Sequence, residues 1–230
     1  LNNVFADQSD IEIDQVTVIG TKTERSVEEF PGSIKLISES SIDQELVRDI
    51  SDLIKYEPGV SVSGTGSRFG LSGFNIRGIE GDRVQILIDG IRVPDEFSSG
   101  GPYLDSRRDF VDMESLQRVE ILKGSGSTLY GSDAIGGVIS FTTRSPRNYT
   151  SIEKPIYFSY KTGFSGDDNG LSNTGIFGLS NQYISSILTF TKRNSDETKT
   201  SGKSGFSGNQ RQEADPASIN VDNLNLKIDF

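Results

Sequence analysis

The feature that most restricts the fold of this chain is a glycine-rich connection between two apolar runs, residues 118–141, RVEILKGSGSTLYGSDAIGGVISF. The run before the glycines, RVEIL, and the run after them, VISF, have the β-branched and aromatic content of short strands. Glycine permits positive φ angles and close approach of two backbones, so this spacing predicts a tightly folded turn between two strands.

A phosphate-binding loop is the main alternative for a strand followed by a glycine-rich turn, because such loops hold phosphate on backbone N–H groups. The spacing argues against it. A dinucleotide motif G-x-G-x-x-G that starts at Gly124 needs glycine where Leu129 stands. A P-loop needs Gly-Lys-Ser/Thr where the sequence reads Gly136, Gly137 and Val138. We therefore interpret the glycines as structural.

The composition removes several classes of function. The chain of 230 residues has no Cys, His or Trp, which excludes thiol chemistry, disulfides, His-dependent catalytic dyads and imidazole metal sites in it. Its 23 basic and 33 acidic residues give a net charge of −10, which argues against nucleic acid as a partner. Because no nucleophile with a base is visible, we predict no enzyme, no catalytic residue, no metal site and no intrinsic cofactor.

Two segments precede the first domain. Residues 1–6, LNNVFA, resemble the end of a signal peptide, with Val4 and Ala6 in the small-residue positions before a cleavage point. An ordinary N-terminal tail is the alternative. Residues 7–29 read as a tether with one short extended peptide in it. Such a peptide is either an edge strand or a segment that adds itself to the sheet of a partner.

Residues 30–147 have the pattern of one compact α+β domain with a small mixed sheet and short helices. The run SIKLI, residues 33–37, predicts a strand. Residues 49–56 predict a helix that Asp49 caps and that Pro58-Gly59 ends. Further short strands are predicted in VSVSG, GFNIRGI, RVQILIDGIRV and QRVEILKG.

Two long polar loops separate these strands, residues 63–73 and residues 93–112. Loops of such length without structure of their own are usually functional or disordered.

The remainder, residues 148–230, alternates between apolar and polar residues in segments of about ten residues, as two-faced strands do. The apolar faces of the first and last segments are Ile156, Phe158, Tyr160 and Phe164, and Leu224, Leu226, Ile228 and Phe230. Two weaker strands between them join at Asn181-Gln182, with polar loops at 165–172 and 194–218. A soluble antiparallel sheet alternates identically, but the long polar loops favour the wall of an outer-membrane barrel.

Four motifs in this order, LIKYEPGVSV, FNIRGI, RVQILIDGIRV and RVEILKGSGSTLYGSDAIGGVISFTTRSP, resemble the plug domain of TonB-dependent outer-membrane receptors. The resemblance implies that the glycine-rich stretch is the last strand and tight turn of the plug before the chain enters the barrel. A barrel that encloses a plug takes about 22 strands, so roughly four strands predict an incomplete transmembrane β-barrel and a receptor fragment.

The resemblance also implies that residues 14–20, DQVTVIG, correspond to the TonB box, the peptide that pairs with TonB of the TonB-ExbB-ExbD complex. The implied TonB-box residues are Asp14, Gln15, Val16, Thr17, Val18 and Ile19. Because this peptide must reach its partner, we expect residues 7 to about 25 to lack stable packing on the plug.

A finer similarity, in GTGSRFGLSGFNIRGIEGDRVQILIDGIRVPD and in ILTFTKRNSDETK, is to the haem and haemoglobin receptor branch. It implies iron acquisition across the outer membrane of a Gram-negative cell. The implied partners are haem or a host haem protein such as haemoglobin, together with outer-membrane lipid. The alternatives are a siderophore receptor and a plug module that does not transport.

In the topology of the family, the loops 63–73 and 93–112 lie together at the end of the plug opposite the TonB box. Their aromatic and basic side chains suit a flat, apolar, dianionic ring such as haem. The implied ligand-binding residues are Arg68, Phe69, Phe97, Tyr103, Arg107 and Arg108. Haem receptors of this kind often carry an axial histidine in the second loop, and this sequence has none. Tyr103 is therefore the only candidate iron ligand in that loop, unless it merely packs.

Overall fold

The computed structural model describes residues 16–17, 19, 25–26, 32–64, 71–94, 111–197, 199, 216 and 218–230. Its first strands are β1 (Val16–Thr17), β2 (Arg25–Ser26), β3 (Ser33–Ser38), β4 (Val60–Gly64), β5 (Leu71–Ile76), β6 (Val84–Ile88) and β7 (Ile91–Arg92). The later strands are β8 (Leu116–Lys123), β9 (Gly137–Thr143), β10 (Ile156–Ser165), β11 (Gly170–Ser180), β12 (Ser185–Asp196) and β13 (Ser218–Asp229). The helices are α1 (Glu39–Gln44), α2 (Ile50–Leu53) and α3 (Ser127–Tyr130).

The two helices between β3 and β4 begin at side-chain caps. The Ser38 hydroxyl accepts a hydrogen bond from the Ser41 N–H in α1. The Asp49 carboxylate accepts from the N–H groups of Ser51 and Asp52, so α2 begins where the sequence predicts. Its end differs from the prediction, because the chain leaves helical geometry at Ile54 and continues in turns.

A mixed five-stranded sheet in the order β3-β8-β9-β6-β7 forms the centre of the first domain, as expected. β6 and β9 are parallel and the other pairs are antiparallel. We call its two sides the helix face and the tether face. The helix face packs on α1, α2 and the β4-β5 hairpin; its buried residues include Ile37, Ile42, Ile50, Leu53, Phe74, Ile76, Val84, Ile86, Val119, Ile121, Ile139 and Phe141.

Alternation along the strands sends the intervening residues to the tether face. The register aligns Leu122 with Val138 and Val138 with Gln85 across three strands. In the next row it aligns Glu120 with Ser140, which in turn lies opposite Leu87. Both rows of this face therefore combine apolar and polar residues, with Gln85 in the first row and Glu120 in the second.

The glycine-rich connection makes a close approach between β8 and β9. Gly137 has φ +155°, and a Cβ atom added there would lie 2.3 Å from the carbonyl oxygen of Leu122. A Cβ atom added at Gly126 would lie 2.7 Å from Cγ2 of Val138. These glycines are structural, in agreement with the sequence analysis.

The second domain is an antiparallel sheet in the order β10-β11-β12-β13. One face carries exposed apolar side chains, such as Phe158 at 71% and Leu224 at 68% exposure, on the alternation that the sequence predicts. The other face turns toward the first domain. The first turn is shorter than the predicted loop 165–172, since β10 ends at Ser165 and β11 begins at Gly170, where the strands keep pairing.

β12 continues to Asp196, beyond the predicted start of its loop at residue 194, because it stays paired with β13 as far as Ser218. The Asn181 turn forms as predicted, and the Asn181 side chain accepts from the N–H groups of Tyr183 and Ile184.

Among the described residues, no helix has both the length and the apolar character needed to cross a membrane.

Candidate functional site

Part of the predicted TonB box lies within the described residues. Val16 and Thr17 form β1, which pairs antiparallel with Ser26 and Arg25 of β2. This segment is thus extended, as a strand-adding peptide requires. Asp14, Gln15 and Val18 lie outside the described residues.

Ile19 packs against the tether face of the central sheet. Its exposure is 2%, and it belongs to a small cluster with Leu87, Leu122, Ala134 and Val138. The expectation that residues 7 to about 25 lack stable packing on the plug is therefore wrong at Ile19. The physical reason is that Leu87, Leu122 and Val138 form an apolar patch on the tether face, and burial of one Ile side chain against it contributes about 2 kcal/mol.

The main chain of Ile19 is held as well as its side chain. The Ile19 N–H donates to Oε2 of Glu120 at 2.9 Å, although 101 positions separate the two residues. Glu120 is 1% exposed, and its Oε1 lies 3.2 Å from Nε of Arg118. A buried carboxylate is costly unless charges and donors surround it, so the N–H of Ile19 helps to keep Glu120 in place.

Other polar groups line the same face. Gln85 is 5% exposed, and within the described part of the chain its Oε1 has no hydrogen-bond partner. Tyr130 packs against the cluster at the end of α3. Burial, and then the negative charge of Glu120, raises the pKa of the Tyr130 hydroxyl. The tether face is thus a mixed surface of apolar side chains and buried polar groups.

All six predicted ligand residues, Arg68, Phe69, Phe97, Tyr103, Arg107 and Arg108, lie outside the described residues. The described ends of their loops nevertheless share one region. Val62 precedes the first loop, Val93 and Val111 flank the second, and all three pack in the cluster of the helix face. The course of the two loops themselves lies outside the described residues. Their contact with each other remains a prediction.

A polar network joins the end of the plug to α1. Arg144 donates through Nε to the Glu114 carbonyl at 2.9 Å and through Nη1 to the Tyr149 hydroxyl at 2.9 Å. Glu39 accepts from both Arg144 and Tyr149. Burial first, and then the hydrogen bond to Glu39, raises the pKa of Tyr149. The network fixes the point where the chain leaves the first domain for the second sheet.

Ion pairs connect the first domain to the inner face of the second sheet. Nζ of Lys161 lies 2.9 Å from Oδ1 of Asp43 and 2.8 Å from Oε1 of Glu114. The guanidinium of Arg48 lies 3.2 Å from Oδ1 of Asp167, in the turn between β10 and β11. This interface is held by polar contacts, in contrast to the apolar helix face.

Sequence reasoning missed Glu120, Gln85, Arg48 and Lys161. One signal was available for the first two, because each is a polar residue inside an otherwise apolar strand, in RVEIL and in VQILI. Such an interruption predicts a buried polar contact but does not name its partner.

Comparison with known proteins gives a consistent result. Residues 26–138 match the family model described as the TonB-dependent Receptor Plug Domain. The chain is 33% identical to the hemoglobin and hemoglobin-haptoglobin-binding protein A of Haemophilus influenzae, over 95% of this chain and 21% of that protein. It is 34% identical to the hemoglobin-haptoglobin utilization protein B of Neisseria meningitidis serogroup C, over 87% of this chain and 25% of that protein. The chain thus spans about a fifth to a quarter of the length of these relatives.

Among solved structures, the FrpB iron transporter from Neisseria meningitidis (F3-3 variant) matches 86% of this chain and 29% of its own, with a TM-score of 0.70. Their sequences are 20% identical, so this likeness concerns the fold alone.

Proposed function

This chain belongs to the TonB-dependent receptors, and we propose that it forms the plug and first barrel strands of an outer-membrane receptor that takes up iron as haem. The haem comes from a host haem protein such as haemoglobin. The observation that carries this proposal is that the identity to hemoglobin-binding relatives extends over 95% of the chain. The similarity thus extends over the barrel strands as well as the plug core. The plug core alone would not separate haem receptors from siderophore receptors, because both share it.

The second sheet supports a position in the outer membrane of a Gram-negative cell. Its outer face is apolar, with exposed residues such as Phe158, Leu224 and Leu226, and its inner face holds the ion pairs to the plug. A wall that is apolar outside and polar inside is what lipid on one side and a plug on the other require.

TonB, with ExbB and ExbD, is the proposed energy source, and residues 14–19 are its proposed attachment point. The extended conformation of Val16 and Thr17 supports this, because TonB would add a strand to the peptide through main-chain hydrogen bonds.

In the proposed ligand site, the loops 63–73 and 93–112 hold the haem ring between aromatic and arginine side chains. Either Tyr103 ligates the iron, or a residue elsewhere in the receptor does and the plug supplies only contacts. Changing Tyr103 to Phe in the receptor separates these cases, because loss of an iron ligand shifts the haem absorption spectrum. Tyr56→Phe is the matched control, since Tyr56 is exposed and lies in the turn after α2.

The decisive experiment is growth of a strain that lacks its own haem receptors and expresses the receptor that contains this chain. We expect growth on haem or haemoglobin as the sole iron source. Growth on ferric siderophores alone would refute the haem assignment and leave a siderophore transporter. No growth on any of these sources, with receptor present in the outer membrane, would favour a plug module that does not transport.

The variant Val16→Pro tests the TonB box in the same strain, because proline removes a main-chain donor from β1. We expect it to abolish uptake and to leave binding of haemoglobin at the cell surface unchanged. Normal growth of this variant on haemoglobin would refute the TonB-box assignment.

A further inference from the structure

Two aspartates of the plug flank the second polar loop, residues 93–112, and both are bonded to the barrel wall, β10-β13. Asp89 lies in the two-residue turn between β6 and β7, shortly before the loop. Asp112 is the residue at which the loop rejoins the plug, where it caps the short 3-10 turn Met113–Ser115. The wall thus takes part in holding both ends of this loop.

Thr191 of β12 holds the far end of the loop. Its hydroxyl donates to Oδ2 of Asp112 at 2.7 Å, while Oδ1 of the same carboxylate accepts the N–H of Glu114 at 3.3 Å. A carboxylate at neutral pH only accepts, so Oγ1 of Thr191 is left to accept from the hydroxyl of Thr174, at 3.3 Å. Both threonines are 2% exposed. A chain of two buried hydroxyls on neighbouring strands therefore ends on Asp112.

Lys227 of β13 holds the near end. Its Nζ lies 3.4 Å from Oδ1 of Asp89 and 3.2 Å from Oγ1 of Thr143. Asp89 also accepts from the N–H and the hydroxyl of Thr143, at 2.9 and 2.5 Å. The φ of Asp89 is +48°, a left-handed conformation that aspartate adopts at some cost, so these bonds help to hold the turn from which the loop follows.

The two wall residues belong to one pair of strands. Asn223 of β13 lies opposite Thr191, so the two mounting points are four residues, or about 13 Å, apart along the strands. The buried cluster of the helix face contains neither aspartate, so the contacts with the wall are separate from those that hold the plug core. Their geometry suits residues that set where the loop begins and ends.

We propose that Thr191 and Lys227 are positioning residues of the ligand site. Through Asp112 and Asp89 they fix both ends of the loop 93–112 at a set separation. A loop that is fixed at its ends loses less conformational freedom when a ligand binds, which favours binding. This role rests on the proposed function, because it takes the loop as part of the ligand site. The attachment to the wall does not.

The first measurement tests the attachment in purified receptor without ligand. Thr191→Val keeps the shape of the side chain and removes the hydroxyl. We expect the Glu114 amide, which Asp112 accepts, to exchange roughly tenfold faster, because a hydrogen bond to a charged group is lost. Thr191→Ser keeps the hydroxyl and should exchange as the parent does. Thr189→Val is the matched control, since Thr189 is also 2% exposed on β12 and its side chain has no hydrogen bond to the plug within the described residues.

The second measurement is the affinity of the same receptors for haem. Thr191→Val should weaken it roughly threefold to tenfold, because the loop must then be ordered by the ligand. Lys227→Met should weaken it only about twofold, since Asp89 keeps its other two bonds and the ion pair is partly exposed. Lys192→Met is its control, because Lys192 pairs with Asp222 inside the wall. Haem affinity should return to the parent value in Thr191→Ser, which a general loss of packing would not explain.

Unchanged exchange at Glu114 in Thr191→Val would overturn the attachment and with it the role. Faster exchange with parental haem affinity would overturn the positioning role and leave a structural contact. An equal loss of affinity in Thr189→Val would also overturn it, because any change to the inner face would then have the same effect. A parent receptor without haem affinity would refute the proposed function, whereas parental haem affinity in every variant would refute the positioning role alone.

Discussion

The two faces of the central sheet come from the same strands but are covered in different ways. The helix face is covered by α1, α2 and the β4-β5 hairpin, all of which precede the strand β6 in the chain. The tether face is covered in part by Ile19, which reaches Glu120 across 101 positions of sequence. The first cover is a set of packed elements with many contacts, and the second includes a single extended segment.

This difference shows how one small sheet can carry a stable core on one face and a reversible contact on the other. A core side chain that many residues surround is expensive to expose, at about 3–5 kcal/mol for a phenylalanine. One Ile side chain and one hydrogen bond are few contacts beside those of the whole helix-face core, and they can break while the rest of the plug stays folded. Local opening at the tether face is therefore the expected first event when the tether is pulled.

The largest effect that we predict separates the two covers. Phe141 on the helix face is 1% exposed, and its ring centre lies 6.2 Å from that of Phe74. Phe141→Ala should lower the free energy of plug opening by about 3–5 kcal/mol, whereas Ile19→Ala should leave it nearly unchanged. Hydrogen exchange of the β8 amides in purified receptor measures both values. Equal losses in the two variants would mean that the tether is part of the core.

The next prediction concerns the close approach of β8 and β9 at Gly137. Gly137→Ala adds a Cβ atom 2.3 Å from the Leu122 carbonyl oxygen, so β8 and β9 must move apart, at about 1–3 kcal/mol. Gly124→Ala is the matched control, because Gly124 also has positive φ but a Cβ atom there meets no atom within 4 Å. Exchange at β9 amides should be faster in the first variant than in the second. The same exchange rate in both variants would mean that the cost comes from the positive φ angle alone and not from the contact with Leu122.

A smaller effect of opposite sign is expected at Gln85, whose buried Oε1 has no partner within the described residues. Gln85→Leu removes the unmatched polar group and should stabilise the plug by about 1–2 kcal/mol. Gln182→Leu, in an exposed turn, should change the stability by less than about 0.5 kcal/mol. If hydrogen exchange shows that Gln85→Leu destabilises the plug, the Gln85 amide has a hydrogen-bond partner on the tether face.

The sequence alone predicted the helix face well and the tether contact not at all. Strand alternation and the Asp49 cap depend on neighbouring residues, so SIKLI, the start of α2 and the two faces of β10 and β13 agree with the structure. The contact of Ile19 with Glu120 depends on residues 101 positions apart, and no local pattern encodes such a pair. The start of β11 at Gly170 and the end of β12 at Asp196 were also misjudged, because pairing with a neighbouring strand extends both strands through polar residues.

The candidate site was predictable only in part for the same reason. The TonB-box position came from a family resemblance, and the local alternation of VTV fits the strand β1. The packing of Ile19 on the tether face depends on Glu120 and on other residues that are far from it in the sequence. The ligand residues, from Arg68 to Arg108, stay predictions, and the structure describes only the valines at the ends of their loops.

The smallest predicted effect tests whether the cover of the helix face is also tied to the barrel wall. Arg48, in the connection before α2, pairs with Asp167, and its hydrogen bond holds the pKa of that carboxyl well below the usual range. A lowered pKa means that the pair contributes at any pH above the ordinary Asp value of about 4 and is lost only as pH falls through the lower folded value. Because Asp167 is exposed, Asp167→Asn should change the stability of this contact by no more than about 0.5 kcal/mol at neutral pH. Exchange of the α2 amides at pH 7 and at pH 3 measures it. The variant and the parent should differ slightly at pH 7 and by less at pH 3, because below the ordinary Asp value the opened state of the parent takes up a proton. A large loss of stability in the variant would show that the cover of the helix face depends on the barrel wall. The covers of the two faces would then differ in how they are anchored rather than in how they pack.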